Sequence, residues 1–365
     1  MASTVFNLDV NNFPSLTWHH LHINHGHMEA SLSSAADASV RGTGGGIAFA
    51  KVLEGASSLN PKASSIETQM GKEFDKAFDS FAKEKNLPLN LFTVNAGSQN
   101  QSPVNVSFDI ADCSQTAADF FIDAGEDSSS VFIFDFSSKK ASEGVFGTRI
   151  RVLASSYAKV HIVTVNMLSS GFVNFTALGT CNADGAEVEV TQLELGGGKV
   201  FSGSMQLLEG YQSKAFGQEG YFAKKSAEFD INYIVRHTGR DTSSEVVAEG
   251  VVSDSAQKSW RGTIDFVNGC RGAKGNESEA VLLLNENVTN KSLPVILCDE
   301  EDVEGQHGCS IGKLGKDVMF YLKNRGLDEK AVRNLMIRAK IFSVCRHIPD
   351  EELNGRIKDF IEGDL

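Results

Sequence analysis

The sequence predicts a mainly β chain with helical pieces toward both ends. Three observations carry this reading. From about residue 103 to residue 298 short apolar or alternating runs follow one another. Gly, Asn, Asp and Ser punctuate them, as turns punctuate short strands. No helical period interrupts these runs, which excludes a doubly wound α/β sheet. A sandwich, a barrel or a solenoid remains. The stretch is long for a sandwich, and 24 Phe against 2 Trp suit stacked coils that bury a continuous core. No repeated side-chain motif is visible, so periodicity leaves all three open with the solenoid ahead.

The elements follow in chain order. Residues 1–50 mix His, Ser, Ala and Gly with little period. A helix is expected over 65–85, where Met70, Phe74, Ala77, Phe78 and Phe81 recur at spacings of three and four between Pro61 and Pro88. Strands are expected over 131–136, 159–165, 172–176, 187–191, 229–235, 246–252, 263–267 and 281–284. The last fifty residues return to helix. The run 317–322 closes at Arg325 and Gly326, with the glycine as C′ residue. Asp328 caps a second helix with an apolar stripe of Val332, Leu335, Met336, Ala339 and Phe342. Pro349 and the acidic Asp350, Glu351 and Glu352 open a third, whose face carries Leu353, Ile357, Phe360 and Ile361. The expected division is an N-terminal region 1–100 with one amphipathic helix, a β core 101–312 and a helical domain 313–365.

The chain has 365 residues and a formal charge of −13, a sign that disfavours nucleic acid and anionic membrane as partners. No apolar run spans a bilayer, and the first residues lack a basic, apolar leader. The six cysteines are scattered, as reduced thiols are. The expectation is a soluble, acidic, cytoplasmic protein.

The glycine-rich stretches read as turns. Gly198-Lys199 continues to Val200, where a phosphate loop needs a hydroxyl, and the run 42–46 lacks the third glycine of a dinucleotide fingerprint. No nucleotide is expected on this chain. Gly308-Cys-Ser-Ile-Gly312 has the spacing of a nucleophile elbow, but the acidic stretch 299–304 precedes it instead of an apolar strand. Five histidines between His19 and His27 read as incidental surface metal affinity, and whether they bind metal stays open. His307 stands differently, with Cys309 beside it and Cys298 nine residues upstream. An imidazole and soft thiolates are ligands that iron–sulfur chemistry prefers, so these three are the candidate metal ligands. The bland reading of the two thiols is half-buried and inert.

Several segments come in a distinctive order: Ser259-Trp-Arg-Gly-Thr-Ile-Asp-Phe266, Gly269-Cys-Arg-Gly-Ala-Lys274, Glu279-Ala-Val-Leu-Leu-Leu284 and Leu293-Pro-Val-Ile-Leu-Cys298. They lead into Asp302-Val-Glu-Gly-Gln-His-Gly-Cys-Ser-Ile-Gly312 and Phe320-Tyr-Leu-Lys-Asn-Arg-Gly326. Over about 255–345 this resembles the C-terminal half of the SufB/SufD family of iron–sulfur cluster assembly proteins. Pro14-Ser-Leu-Thr-Trp18 resembles an element near the start of SufD-type chains. The resemblance implies a right-handed parallel β-helix core with an N-terminal helical segment and a C-terminal helical domain. It implies a cytosolic complex of SufB, SufD and two copies of the ATPase SufC. It gives SufC docking to the helices at 314–346, here Phe320, Tyr321, Leu322, Arg325, Leu335 and Met336. It places His307 near the SufB–SufD interface, where a nascent cluster sits. The region 287–292 lacks the cysteine of SufB-type chains, and Gly308 follows His307 where they carry an acid. Both departures favour a SufD-type, non-enzymatic subunit, with a transient iron–sulfur cluster or iron at the interface with a SufB-like chain. The alternatives are a self-sufficient homodimeric scaffold and a β-helix enzyme acting on acidic polysaccharide.

Overall fold

The computed structural model describes residues 3–15, 19–53, 61–100, 102–108, 110–137 and 142–363; Leu16, Thr17 and Trp18 of the Pro-x-x-Thr-Trp element lie outside them. The chain winds back and forth between two parallel sheets. One holds Leu89–Val94, Ser114–Ala124, Glu143–Ala154, Gly171–Asn182, Lys199–Leu208, Glu228–His237, Gln257–Phe266 and Thr289–Cys298 in that spatial order. The other holds Val104–Phe108, Ser129–Ser137, Lys159–Met167, Glu187–Glu194, Lys214–Ala223, Ser243–Val252, Lys274–Leu283 and Glu304–Lys313. Each coil is one strand of each sheet, so the fold is the parallel β-solenoid that the resemblance implied. All eight expected strands fall on observed ones.

The repeat is in the backbone, which is why the side chains hid it. At one edge Asp127, Tyr157, Gly185, Gln212, Asp241 and Gly272 all take positive φ. Each donates its N–H to a carbonyl one coil further on: Asp127 to Ser156, Tyr157 to Asp184, Gly185 to Tyr211, Gln212 to Arg240, Asp241 to Arg271 and Gly272 to Asp302. Gly97 to Glu126 precedes them. Asp and Gly are at home in this conformation, whereas Tyr157 and Gln212 are held there by the ladder.

The two ends of the solenoid differ. At the N-terminal end Ile47–Val52 pairs antiparallel with Leu89–Val94, and Ala38–Arg41 antiparallel with Val104–Phe108, closing both sheets. At the C-terminal end Thr289–Cys298 and Glu304–Lys313 have a strand on one side only among the described residues. The segment 1–50, which shows little period, thus holds short strands, including a hairpin of Thr4–Val10 with Gly26–Leu32. Helix α1, Lys72–Lys85, begins later than expected, because Gly71 at φ 96° separates it from a short 3-10 turn at Pro61–Ser65. Its Phe74, Phe78 and Phe81 pack with Phe6 and Phe175 on the outer face of the first sheet.

The outer face of the second sheet is covered by α3 (Glu329–Cys345) and α4 (Glu351–Gly363), while the shorter α2 (Lys316–Lys323) lies against α3. Asp328 caps α3 through the Ala331 N–H at 2.7 Å, as expected. The expected stripe of α3 needs correction. Val332 is buried as expected, but the face packed with Val163, Leu193, Phe222 and Val251 is Ile337, Ile341, Val344 and Cys345, with Met336 and Phe342 partly buried at its margin, while Leu335 and Ala339 are exposed. The apolar residues of α3 lie on two sides, and the sheet takes only one. Among the described residues no helix is long and apolar enough to cross a membrane.

Candidate functional site

Alternation along the strands decides which side chains enter the solenoid. In Lys274–Leu283, Val281 packs inside while Leu282 packs under the C-terminal helices, so Glu277 and Glu279 share the inward phase of Val281. Register then continues the columns across the coils. One runs Phe132, Ile162, Val190, Gly217, Val246 and Glu277 to His307. Its neighbour runs Phe134, Thr164, Gln192, Glu219, Ala248 and Glu279 to Cys309. The interior thus changes from phenylalanine at the capped end to polar and ionisable groups at the open end. His307 and Cys309 are the last members of these columns and are exposed on the terminal strand.

Directly beneath them lies a buried ion pair. Glu279 accepts from Lys258 Nζ and, at 2.6 Å, from the Tyr221 hydroxyl. Cys309 Sγ sits 3.7 Å from the other carboxylate oxygen, and Lys258 also donates to Ser292 at 3.1 Å. Burial and the Glu279 carboxylate raise the Cys309 thiol, so it rests as a donor. Burial pushes Lys258 down and Tyr221 well up from their ordinary values. Glu277, which accepts the Val295 N–H at 3.0 Å, is pushed up to about 8 by burial. Two coils deeper, Glu219 takes the Trp260 indole N–H at 2.9 Å, and burial raises its carboxyl well above the usual range.

The Ser-Trp-Arg-Gly segment now has a physical reason. Trp260 points inward and fills the core. Arg261 points outward and is fully buried under the N-terminal hairpin, donating to Ile23 O and Asp230 at 2.8 Å each. Gly262 makes room: a Cβ there would come within 2.4 Å of the Trp260 ring and 2.7 Å of a Glu277 carboxylate oxygen.

The structure joins some of the sequence candidates and separates others. His307 and Cys309 face the same way, two residues apart. Cys298 lies at the far turn of the opposite sheet, on the column of Phe266, with its Sγ 3.2 Å from Glu300 O. The five residue steps from Glu304 to Cys309 alone carry the chain about 16 Å along the strand from that turn. Both thiols are exposed, which corrects the expectation that they are half-buried. Among the described residues no group of three or more His, Cys, Asp or Glu is placed to hold a metal ion. His27 and His25 of the N-terminal cluster are instead paired with Asp9 at 2.9 and 3.6 Å. Ser310 lies within a strand and not at a strand–helix elbow. Glu277, Glu279, Lys258 and Tyr221 were not singled out in the sequence, where Val281 is followed by three leucines and marks no inward phase.

The helical candidates are mostly on the surface. Phe320 is 69% exposed, Tyr321 56% and Leu335 47%; Leu322 and Met336 are half-buried, and Arg325 stacks over the Tyr321 ring at 5.2 Å.

Residues 108–340 match the family described as SUF system FeS cluster assembly, SufBD core domain. The chain belongs to the SufB/SufD family. It is 24% identical over 242 residues to the iron–sulfur cluster assembly protein SufD of Bacillus subtilis, covering 65% of this chain and 55% of that protein. It is 25% identical over 199 residues to a chloroplastic SufBD family protein of Arabidopsis thaliana, covering 53% and 36%. A SufBD family protein of Mycobacterium tuberculosis is 22% identical over 225 residues, covering 61% and 27%. The matches thus span about half or less of the relatives' own length. The SufBD core covers the polar end of the solenoid and most of α3, so both the mouth and the exposed helical surface fall within it.

Proposed function

We propose that this chain is a SufD-type, non-catalytic component of a cytoplasmic iron–sulfur cluster assembly complex. Its open solenoid end pairs with a SufB-like chain, α2 and α3 dock a SufC-like ATPase, and His307, with Cys309 beside it, faces the nascent cluster or iron, the complex's cargo. The observation that carries this is the asymmetry of the ends. The N-terminal end is closed by antiparallel strands, while the C-terminal end leaves two strand edges unpaired among the described residues. Such edges invite pairing with another chain. The inward columns put an imidazole and a thiol at that edge, and a partner's ligands would complete a site that His307 and Cys309 leave incomplete. Hydrolysis in the ATPase would then shift the subunits between two arrangements.

The test is complex formation by the full chain with a SufB-like chain and a SufC-like ATPase, followed by light scattering. Ile311, 55% exposed on the terminal strand, is changed to Asp to disturb the mouth. Phe320→Asp disturbs the helical surface. The reading expects the first to remove the SufB-like chain alone and the second the ATPase alone. A dimer of this chain that holds a cluster by itself, and loses it in His307→Ala, would support the self-sufficient scaffold instead.

A further inference from the structure

Beside the exposed helical surface runs a trough between α2, α3 and the turns of the last coils. Two cavities of about 480 and 450 Å3 share Leu284, Asn285, Glu329 and Arg333 and so form one continuous groove. Its lining combines apolar side chains, with Phe320 at the outer end, and six cations: Lys224, Lys225, Lys313, Lys323, Lys330 and Arg333. Only three carboxylates accompany them, Asp254, Glu286 and Glu329. In a chain of net charge −13 this is a local reversal of sign.

The internal pairing uses up part of that charge and leaves Lys313 and Lys330 facing outward. Glu329 is held by Lys323 at 3.1 Å and Arg333 at 3.2 Å, and Arg333 is anchored to Leu284 O at 2.9 Å. Asp254 receives the Lys225 backbone N–H at 2.7 Å. Lys313 and Lys330 are exposed, and their ammonium groups form no ion pair among the described residues. An apolar groove with unpaired cations on its rim matches an amphipathic segment that carries carboxylates.

We propose that the trough receives an acidic, amphipathic segment of the docked ATPase subunit, with carboxylates against Lys313 and Lys330 and an apolar side chain against Phe320. This rests on the docking reading above and names the chemistry of the partner's contact.

The experiment uses the full chain, the SufC-like ATPase as probe, and Kd measured from about 50 to about 500 mM salt. The variant is Lys313→Glu with Lys330→Glu. Lys330 lies in the first turn of α3, where an acid is favoured by the helix dipole, so the helix is retained; a melting curve checks this. The proposal expects wild-type Kd to weaken at least about tenfold across the salt range. The double variant should bind at least about tenfold more weakly at low salt and lose most of the salt dependence. Phe320→Ala should weaken binding by a similar factor at every salt concentration. Wild-type binding that ignores salt and is unchanged in the double variant would overturn the trough while leaving docking intact. No binding by the wild type would overturn the docking reading, and the trough with it.

Discussion

Arg261 and Asp230 form a buried pair at 2.8 Å that fastens the N-terminal hairpin to the solenoid. The Arg261 Nε also donates to Ile23 O, and Asn11 reaches Asp230 at 2.8 Å from the same hairpin. Two segments more than two hundred residues apart in sequence are thus joined by one guanidinium. Replacing Arg261 with Ala leaves Asp230 without its buried cation. The expected cost is about 3–5 kcal/mol in urea unfolding, with earlier proteolysis of the hairpin. An unchanged midpoint would show that the pair does not hold the two parts together.

The ion pair beneath Cys309 gives a prediction of different form. Lys258→Met alone leaves the Glu279 carboxylate buried and uncompensated, and is expected to destabilise by about 3–5 kcal/mol. Lys258→Met with Glu279→Leu removes both charges and is expected to recover most of that loss. Recovery of stability without recovery of cluster assembly in the reconstituted complex would separate the pair's structural role from its functional one.

Gly262 is expected to resist the smallest substitution. The methyl of Gly262→Ala meets the Trp260 ring and Glu277 at once, so the buried ring must shift. A loss of about 1–3 kcal/mol is expected, read from thermal melts with Trp260 fluorescence.

The buried imidazole of His237 sets an acid limb. It bonds Thr242 at 2.7 Å and Ser244 at 2.9 Å, and burial pushes its pKa down to about 4. Between that value and the ordinary histidine pKa the unfolded chain binds a proton that the folded chain refuses. Stability from this group is therefore full above about pH 6.5 and falls as the pH drops toward 4. His237→Gln should flatten that part of the stability curve, as followed by urea midpoints across the range.

Phe320→Ala and Leu335→Ala should leave the melting temperature nearly unchanged, within about 0.5 kcal/mol, because both side chains already face solvent. Their expected effect is on capture of the ATPase alone, measured by surface binding.

The strands that could be read from sequence are those with aromatic and β-branched runs, such as 131–136 and 159–165, where the local pattern and the packing agree. The number of coils could not be read. The register advances by 26 residues from Val173 to Lys199 but by 32 from Gln257 to Thr289, so no fixed period exists to find. The turn ladder accepts Asp, Tyr, Gln or Gly because it asks only for a conformation. His307 stood out because its neighbourhood matched a family motif. Glu277 and Glu279 did not, because Asn276 and Ser278 on the other face are polar too, and polarity then says nothing of which side is inside. The α3 stripe was misread for the converse reason: Leu335 is apolar yet lies on the side the sheet leaves free.

The seven hydrogen bonds of the turn ladder also make the solenoid a ruler. Neighbouring coils lie about 4.8 Å apart, so these bonds hold the capped end and the His307 end roughly 34 Å apart. Because each rung joins one coil to the next through backbone groups alone, a chain with one coil fewer would keep both ends and shorten the span by a single step. Coil number thus sets how far the cap stands from whatever the mouth engages.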